Sequence, residues 1–129
     1  MENLNIKGSH DDFFIPAINF NVKTGICEIA GESYLEETLK FYTPVYQWLE
    51  RYTKEVAKPL VLNIKLTYFN TSSSRAILDM LNILKKYSDS GNKAVVNWFY
   101  DVEDIDLEEI EDFEKESGMK INIVPKEKL

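Results

Sequence analysis

Cysteine is nearly missing from this chain: one in 129 residues leaves no intramolecular disulfide and disfavours a metal site built on thiolates. Histidine is equally scarce. His10 stands beside Asp11 and Asp12, a grouping that suggests metal or acid–base chemistry, but a lone histidine in a polar terminal segment is as a rule simply solvated. Cationic residues are outnumbered, 15 against 22 acidic ones, for a net charge of −7 without any Lys/Arg cluster. That balance disfavours nucleic acid and anionic membrane surfaces as partners. No apolar run approaches the length of a membrane span. The opening MENLNIKGSHDD lacks the basic-then-apolar order of a secretory signal, so a soluble cytoplasmic protein is expected. The length suits one domain over residues 1–129. Residues 1–12 read as a loose lead-in, although Leu4 and Ile6 alternate in a way that allows a short edge strand.

What is present is concentrated between Leu60 and Leu84. Leu60, Leu62, Ile64, Leu66 and Tyr68 alternate with Val61, Asn63, Lys65, Thr67 and Phe69, the period of a strand buried on one face. Ile77, Met80, Leu81, Leu84 and Tyr87 then recur at steps of three and four, the stripe of an amphipathic helix. Asn70-Thr71-Ser72-Ser73-Ser74 joins the two without Gly or Pro.

The flanks complete an α/β pattern. Residues 13–20 and 25–30 surround a turn ending in Gly25, which predicts an antiparallel hairpin. Pro16 cannot donate to a ladder, so the first strand should lie at an edge or be interrupted there. Cys27, with no cation beside it in sequence, reads as a small buried residue. Leu35, Leu39, Tyr42, Tyr46, Leu49, Tyr52 and Val56 predict a helix over about 35–56. Pro44 either bends it or opens a second helix capped by Thr43; a bent helix is the preferred reading. Its aromatic stripe of Tyr42, Tyr46, Trp48 and Tyr52 reads as core and rim packing. Ala94, Val96, Trp98 and Tyr100 mark a strand over 93–100, and the helix between makes it a parallel neighbour of 60–69. Leu107, Ile110 and Phe113 give an acidic helix from near Asp104 to Gly118, and 120–124 a last strand. Asp101, Glu103, Asp104 and Asp106 lack the spacing of a calcium loop and read as a solvated face. The order is β-β-α-β-α-β-α-β, a mixed sheet with helices mainly on one face, because the polar side of 60–69 suits a wetter environment.

The hydroxyl run at the junction has two readings. Asn, Thr and Ser are good helix caps, since a side-chain oxygen accepts from the unpaired N–H groups of the first turn. One cap would suffice, however, and four hydroxyls exceed that need. The same N–H groups and the helix dipole favour an anion, so a hydroxyl here is also well placed to carry a phosphoryl group.

The segment YFNTSSSRAILDMLNIL, with the strand before it and AVVNWFYD after it, resembles the SiaC family of bacterial regulatory phosphoproteins. Gly31-Glu32-Ser33-Tyr34, Trp48-Leu49-Glu50-Arg51 and Trp98-Phe99-Tyr100-Asp101 extend the likeness over most of the chain. The resemblance implies a fold like the STAS domain of anti-sigma factor antagonists. It implies phosphorylation at the Thr of an L-N-T-S-S type motif, which falls on Thr71. It further implies a Ser/Thr kinase with a histidine-kinase-like ATPase fold, a PP2C-type phosphatase, and a GGDEF diguanylate cyclase bound by the unphosphorylated form. Tyr68, Asn70, Ser72, Ser73 and Arg75 flank Thr71 and are the candidate contact surface. Arg75, one turn on, suits either a phosphate or a partner carboxylate, or stands exposed without a partner.

No catalytic residue, cofactor or metal is assigned. The run has no general base near it in sequence, and it lacks the glycines and lysine of a P-loop. The rival expectations are a scaffold or small-ligand domain of the same fold without phosphorylation, and a hydrolase using Ser72 or Ser73.

Overall fold

The computed structural model describes residues 1–10, 14–101, 103 and 107–126. Phe13, the carboxylates of Asp11 and Asp12, and Asp104 and Asp106 at the expected start of the acidic helix, lie outside them. Among the described residues six strands form one sheet in sequence order: β1 (Leu4–Ile6), β2 (Ala17–Phe20), β3 (Ile26–Ser33), β4 (Leu60–Phe69), β5 (Ala94–Tyr100) and β6 (Ile121–Pro125). Three α-helices among the described residues, α1 (Thr38–Arg51), α2 (Thr71–Asp89) and α3 (Leu107–Ser117), connect the last four strands. The pairings β1–β2 and β2–β3 are antiparallel, and β3–β4, β4–β5 and β5–β6 are parallel. The expected element order is thus corrected by one strand. The alternation of Leu4 and Ile6 is realised as an edge strand, and β2 lies inside the sheet, with Pro16 just before it as the interruption.

Each parallel pair is joined by a helical crossover of one preferred hand, which delivers all three helices to the same face. There α1 packs on α2 and α2 on α3. Leu60, Leu62, Ile64 and Leu66 of β4 are buried beneath them, each such side chain contributing about 1.5–3 kcal/mol. Cys27, Ile29, Val96, Trp98, Ile77, Met80, Leu81 and Leu84 complete that layer. Cys27 is buried and free, and desolvation raises its thiol pKa far above the usual range.

The opposite face is polar in an ordered way. Asn5, Asn19, Glu28, Asn63, Asn97 and Asn122 hold successive register positions across the six strands. Asn122 Nδ2 donates to Asn97 Oδ1 at 3.1 Å, and Asn97 Nδ2 to Asn63 Oδ1 at 3.0 Å. Lys65 pairs with Glu28 at 2.7 Å and lies over the Phe99 ring.

Two local departures shape the functional end. The β3–β4 register skips between Gly31 and Glu32, which face Leu66 and Tyr68, so Thr67 is an extra residue in β4. The slip turns Tyr68 outward, 46% exposed, and sends Phe69 to the helix side against Trp98 and Phe113. Tyr68 therefore leaves the buried face that its even spacing predicts. In α1 the helix begins at Thr38 rather than 35, runs through Pro44, and ends in a π-helical turn over Tyr52–Val56. Its buried stripe is Thr38, Tyr42, Val45, Trp48, Leu49 and Tyr52, which leaves Leu39 71% exposed instead of in the core.

Candidate functional site

The site is built from the end of β4 and the first two turns of α2. Asn70 is the cap: its Oδ1 accepts from the Ser73 N–H at 3.0 Å, and its Nδ2 donates to the Leu35 carbonyl at 3.2 Å. With capping taken by Asn70, the hydroxyl run is free for other uses.

Three of the four hydroxyls are committed. Ser73 Oγ donates to the Ser33 carbonyl at 2.9 Å and accepts from Ser33 Oγ at 2.7 Å. Since the Ser33 proton is used there, the 2.8 Å contact between Ser33 Oγ and Tyr42 Oη must have the phenol as donor. Burial pushes that phenol up to about 12, so it keeps its proton at neutral pH. Ser72 Oγ lies 2.7 Å from Thr38 Oγ1, and Ser74 Oγ donates to the Thr71 carbonyl at 2.7 Å. Among the described residues the Thr71 hydroxyl makes no hydrogen bond, and Thr71 is exposed.

The contact surface expected around Thr71 is corrected at one position. Ser73 is fully buried, bolting α2 to β3, and cannot meet a visiting protein. Tyr68, Ser72 and Arg75 are exposed and Asn70 is half-buried. Replacing Ser73 by Ala should cost about 1–3 kcal/mol, because Ser33 loses both its acceptor and a donor to its carbonyl in a buried place. Ser72→Ala, at the surface, should cost less; urea unfolding of the two variants compares them.

An open groove of about 470 Å³ runs from Thr71 between α2 and α3. Phe69, Leu78 and Phe113 supply its apolar surface, and Glu109, Asp112 and Glu116 line it from α3. Arg75 is the one cation among its described lining residues; its Nε lies 3.3 Å from Asp79 Oδ1. Those three carboxylates escaped the sequence reading, although their spacing of three and four already put them on one helical face. What the sequence did not reveal is that this face turns toward Thr71. Exposed apolar side chains gather on the other sides: Tyr34 and Tyr68, with ring centroids 6.1 Å apart, and Leu39, next to the Thr38 that meets Ser72.

His10 packs on the Phe14 ring, 3.9 Å from Glu32. Among the described residues no group of three or more His, Cys, Asp or Glu is placed to hold a metal ion. No helix among them is long and apolar enough to cross a membrane.

The site thus presents, on a one-faced α/β domain, a threonine hydroxyl at a helix N-terminus that makes no hydrogen bond among the described residues. The chain belongs to the SiaC family of regulatory phosphoproteins, which matches it over residues 6–126, and it is a regulatory protein rather than an enzyme. It is 33% identical over 101 residues to an uncharacterised protein of Pseudomonas aeruginosa strain UCBPP-PA14, covering 78% of each chain. It superposes on SiaC of Pseudomonas aeruginosa with a TM-score of 0.88 at 29% identity, over 98% of this chain and 100% of that one. It is also similar to the SiaC chain solved in complex with the diguanylate cyclase SiaD, of which SiaC is the activator. There the TM-score is 0.85 at 29% identity, with 95% of this chain and 99% of that one covered.

Proposed function

We propose that Thr71 is the regulated residue of a partner switch. A Ser/Thr kinase with a histidine-kinase-like ATPase fold phosphorylates it, and a PP2C-type phosphatase restores the hydroxyl. The unphosphorylated form binds and regulates a GGDEF diguanylate cyclase through the surface carrying Tyr68, Asn70, Ser72 and Arg75. One observation carries the choice of residue: within Thr71–Ser74, Thr71 alone is both exposed and free of a hydrogen bond among the described residues.

In the transfer, Thr71 Oγ1 attacks the γ-phosphorus of ATP, a new O–P bond forms as the β–γ bridge breaks, and ADP leaves. The hydroxyl proton passes to a base of the kinase. The phosphatase returns inorganic phosphate by water attack. A phosphate at this position faces the unpaired amides of the first turn of α2, which favour it. The partner classes rest on the family resemblance and on the SiaC–SiaD complex of Pseudomonas aeruginosa.

Incubation with the cognate kinase and ATP, followed by mass spectrometry, should place one phosphate on Thr71. Thr71→Ala should abolish incorporation and keep the melting temperature within a few degrees. Incorporation that persisted in Thr71→Ala, on Ser72 or Ser74, would refute the assignment.

A further inference from the structure

We infer that Arg75 is the residue that binds a phosphoryl group on Thr71, and that Asp79 holds it in reserve until one arrives. This rests on the reading of Thr71 as the modified residue. Thr71, Arg75 and Asp79 succeed one another at steps of four along α2, which stacks them on one helix face. Thr71 and Arg75 line the same groove.

The present partner of Arg75 is a weak one. The Nε–Oδ1 distance to Asp79 is 3.3 Å and the Arg75 side chain is 76% exposed, so solvent and salt screen the pair. Its orientation is also the poorer of the two possible. Helical side chains lean toward the N-terminus, and an acid four residues before a base pairs better than one four residues after it. Asp79 lies on the wrong side of Arg75 by this rule, and Thr71 on the right one. A phosphate there carries about −1.5 to −2 charges and three acceptor oxygens, and the guanidinium fork suits it for paired, charge-assisted hydrogen bonds.

The exchange therefore runs one way on modification. Arg75 swings from Asp79 to the phosphate, while Asp79 keeps the Tyr46 hydroxyl of α1, which donates to its Oδ2 at 3.4 Å. Glu109, Asp112 and Glu116 face the phosphate from α3 and raise its need for a cation. From the segment that leads into α1, Glu36 and Glu37 are exposed carboxylates, and Glu37 pairs with Lys40 at 3.6 Å. The groove consequently withdraws its one described cation from any partner carboxylate when Thr71 is modified. The switch subtracts a contact as well as adding a charge.

The test uses the full chain with phosphothreonine placed genetically at position 71, so no kinase is needed, and follows the phosphate by phosphorus NMR against pH. An exposed phosphothreonine has its second pKa near about 6. Arg75 favours the dianion and should lower that midpoint; Arg75→Ala should raise it by about half a unit or more, with Arg75→Lys in between. Asp79→Asn should lower the midpoint below that of the wild type, but only while Arg75 is present, as a double-mutant cycle reads directly. An Arg75→Ala midpoint within about a tenth of a unit of the wild type would overturn the assignment. So would an Asp79→Asn shift of equal size with and without Arg75, since Asp79 would then act through space. Failure of the kinase to modify Thr71 is a separate result, which this titration neither needs nor reports.

Discussion

Phosphorylated on Thr71, the domain is expected to melt within a few degrees of the unmodified protein and to bind the diguanylate cyclase proposed as its partner about a hundredfold more weakly. The small effect on stability comes from opposed terms. The N-terminus of the 19-residue helix α2 favours an anion, by about 0.3–1 kcal/mol at an exposed position. Glu109, Asp112 and Glu116 across the groove oppose it. Neither effect reaches the core, because Thr71 is exposed and the bolts that hold α2 run through Asn70, Ser72 and Ser73. Binding has no such compensation. A partner seated over Tyr68, Leu39 and the groove would have to desolvate a dianion at the centre of its contact. A loss of about 3 kcal/mol there corresponds to the stated factor. Calorimetric titration of the cyclase with each form, beside thermal melts of both, measures the two quantities. Equal affinities would remove the switch, and gross unfolding of the phosphorylated form would replace it with a different mechanism.

Gly25→Ala is expected to lower the melting temperature by about 10 °C or more. Gly25 has a φ of +72°, and a Cβ built there would stand 2.3 Å from the Pro59 carbonyl oxygen and 2.6 Å from Tyr52 Oη. The left-handed backbone alone costs roughly 1 kcal/mol for a residue with a Cβ. The clash adds far more, because the obstacle is backbone and cannot step aside. That backbone is also occupied: Pro59 O accepts from Tyr52 Oη at 3.1 Å, and Gly25 O accepts from the Val61 N–H at 2.8 Å, where β4 begins beside β3. Gly91→Ala is the control, since its φ is +98° but nothing lies within 4 Å of the added carbon. Thermal melts of the two variants separate the steric contribution from the conformational one. Similar losses in both would show that the close approach at Gly25 is unimportant.

The elements that the sequence made legible are those whose periodicity repeats long enough to average out exceptions. Leu60 to Leu66 declare a strand, Ile77 to Tyr87 a helix, and the crossover between them forces β4 and β5 to run parallel. The hydroxyl run Thr71–Ser74 is legible for a related reason, lying where a strand ends and a helix begins, but only the family resemblance singles out Thr71 within it. What could not be read depends on contacts between distant segments. Ser73 looks like its neighbours in sequence and is buried only because Ser33, forty positions earlier, lies beneath it. The groove needs α3, whose acidic face reads equally well as a solvated one. Leu39 sits at a spacing that fits the α1 stripe, yet α2 covers the stripe one residue to the side, through Thr38. Tyr68 was misplaced because a strand's period assumes an unbroken ladder, and Thr67 is as acceptable in a bulge as in a regular pair.

That bulge limits how the length of β4 can change. Past Thr67, parity decides which aromatic is displayed and which is stowed: Tyr68 outward, Phe69 against Trp98 and Phe113. Deleting a single residue there would exchange the two, burying a phenol and showing a bare ring beside Thr71. The display is thus governed by a tally of residues along one strand. A change of side chain at Thr67 should therefore be tolerated far more readily than a change in the length of the strand.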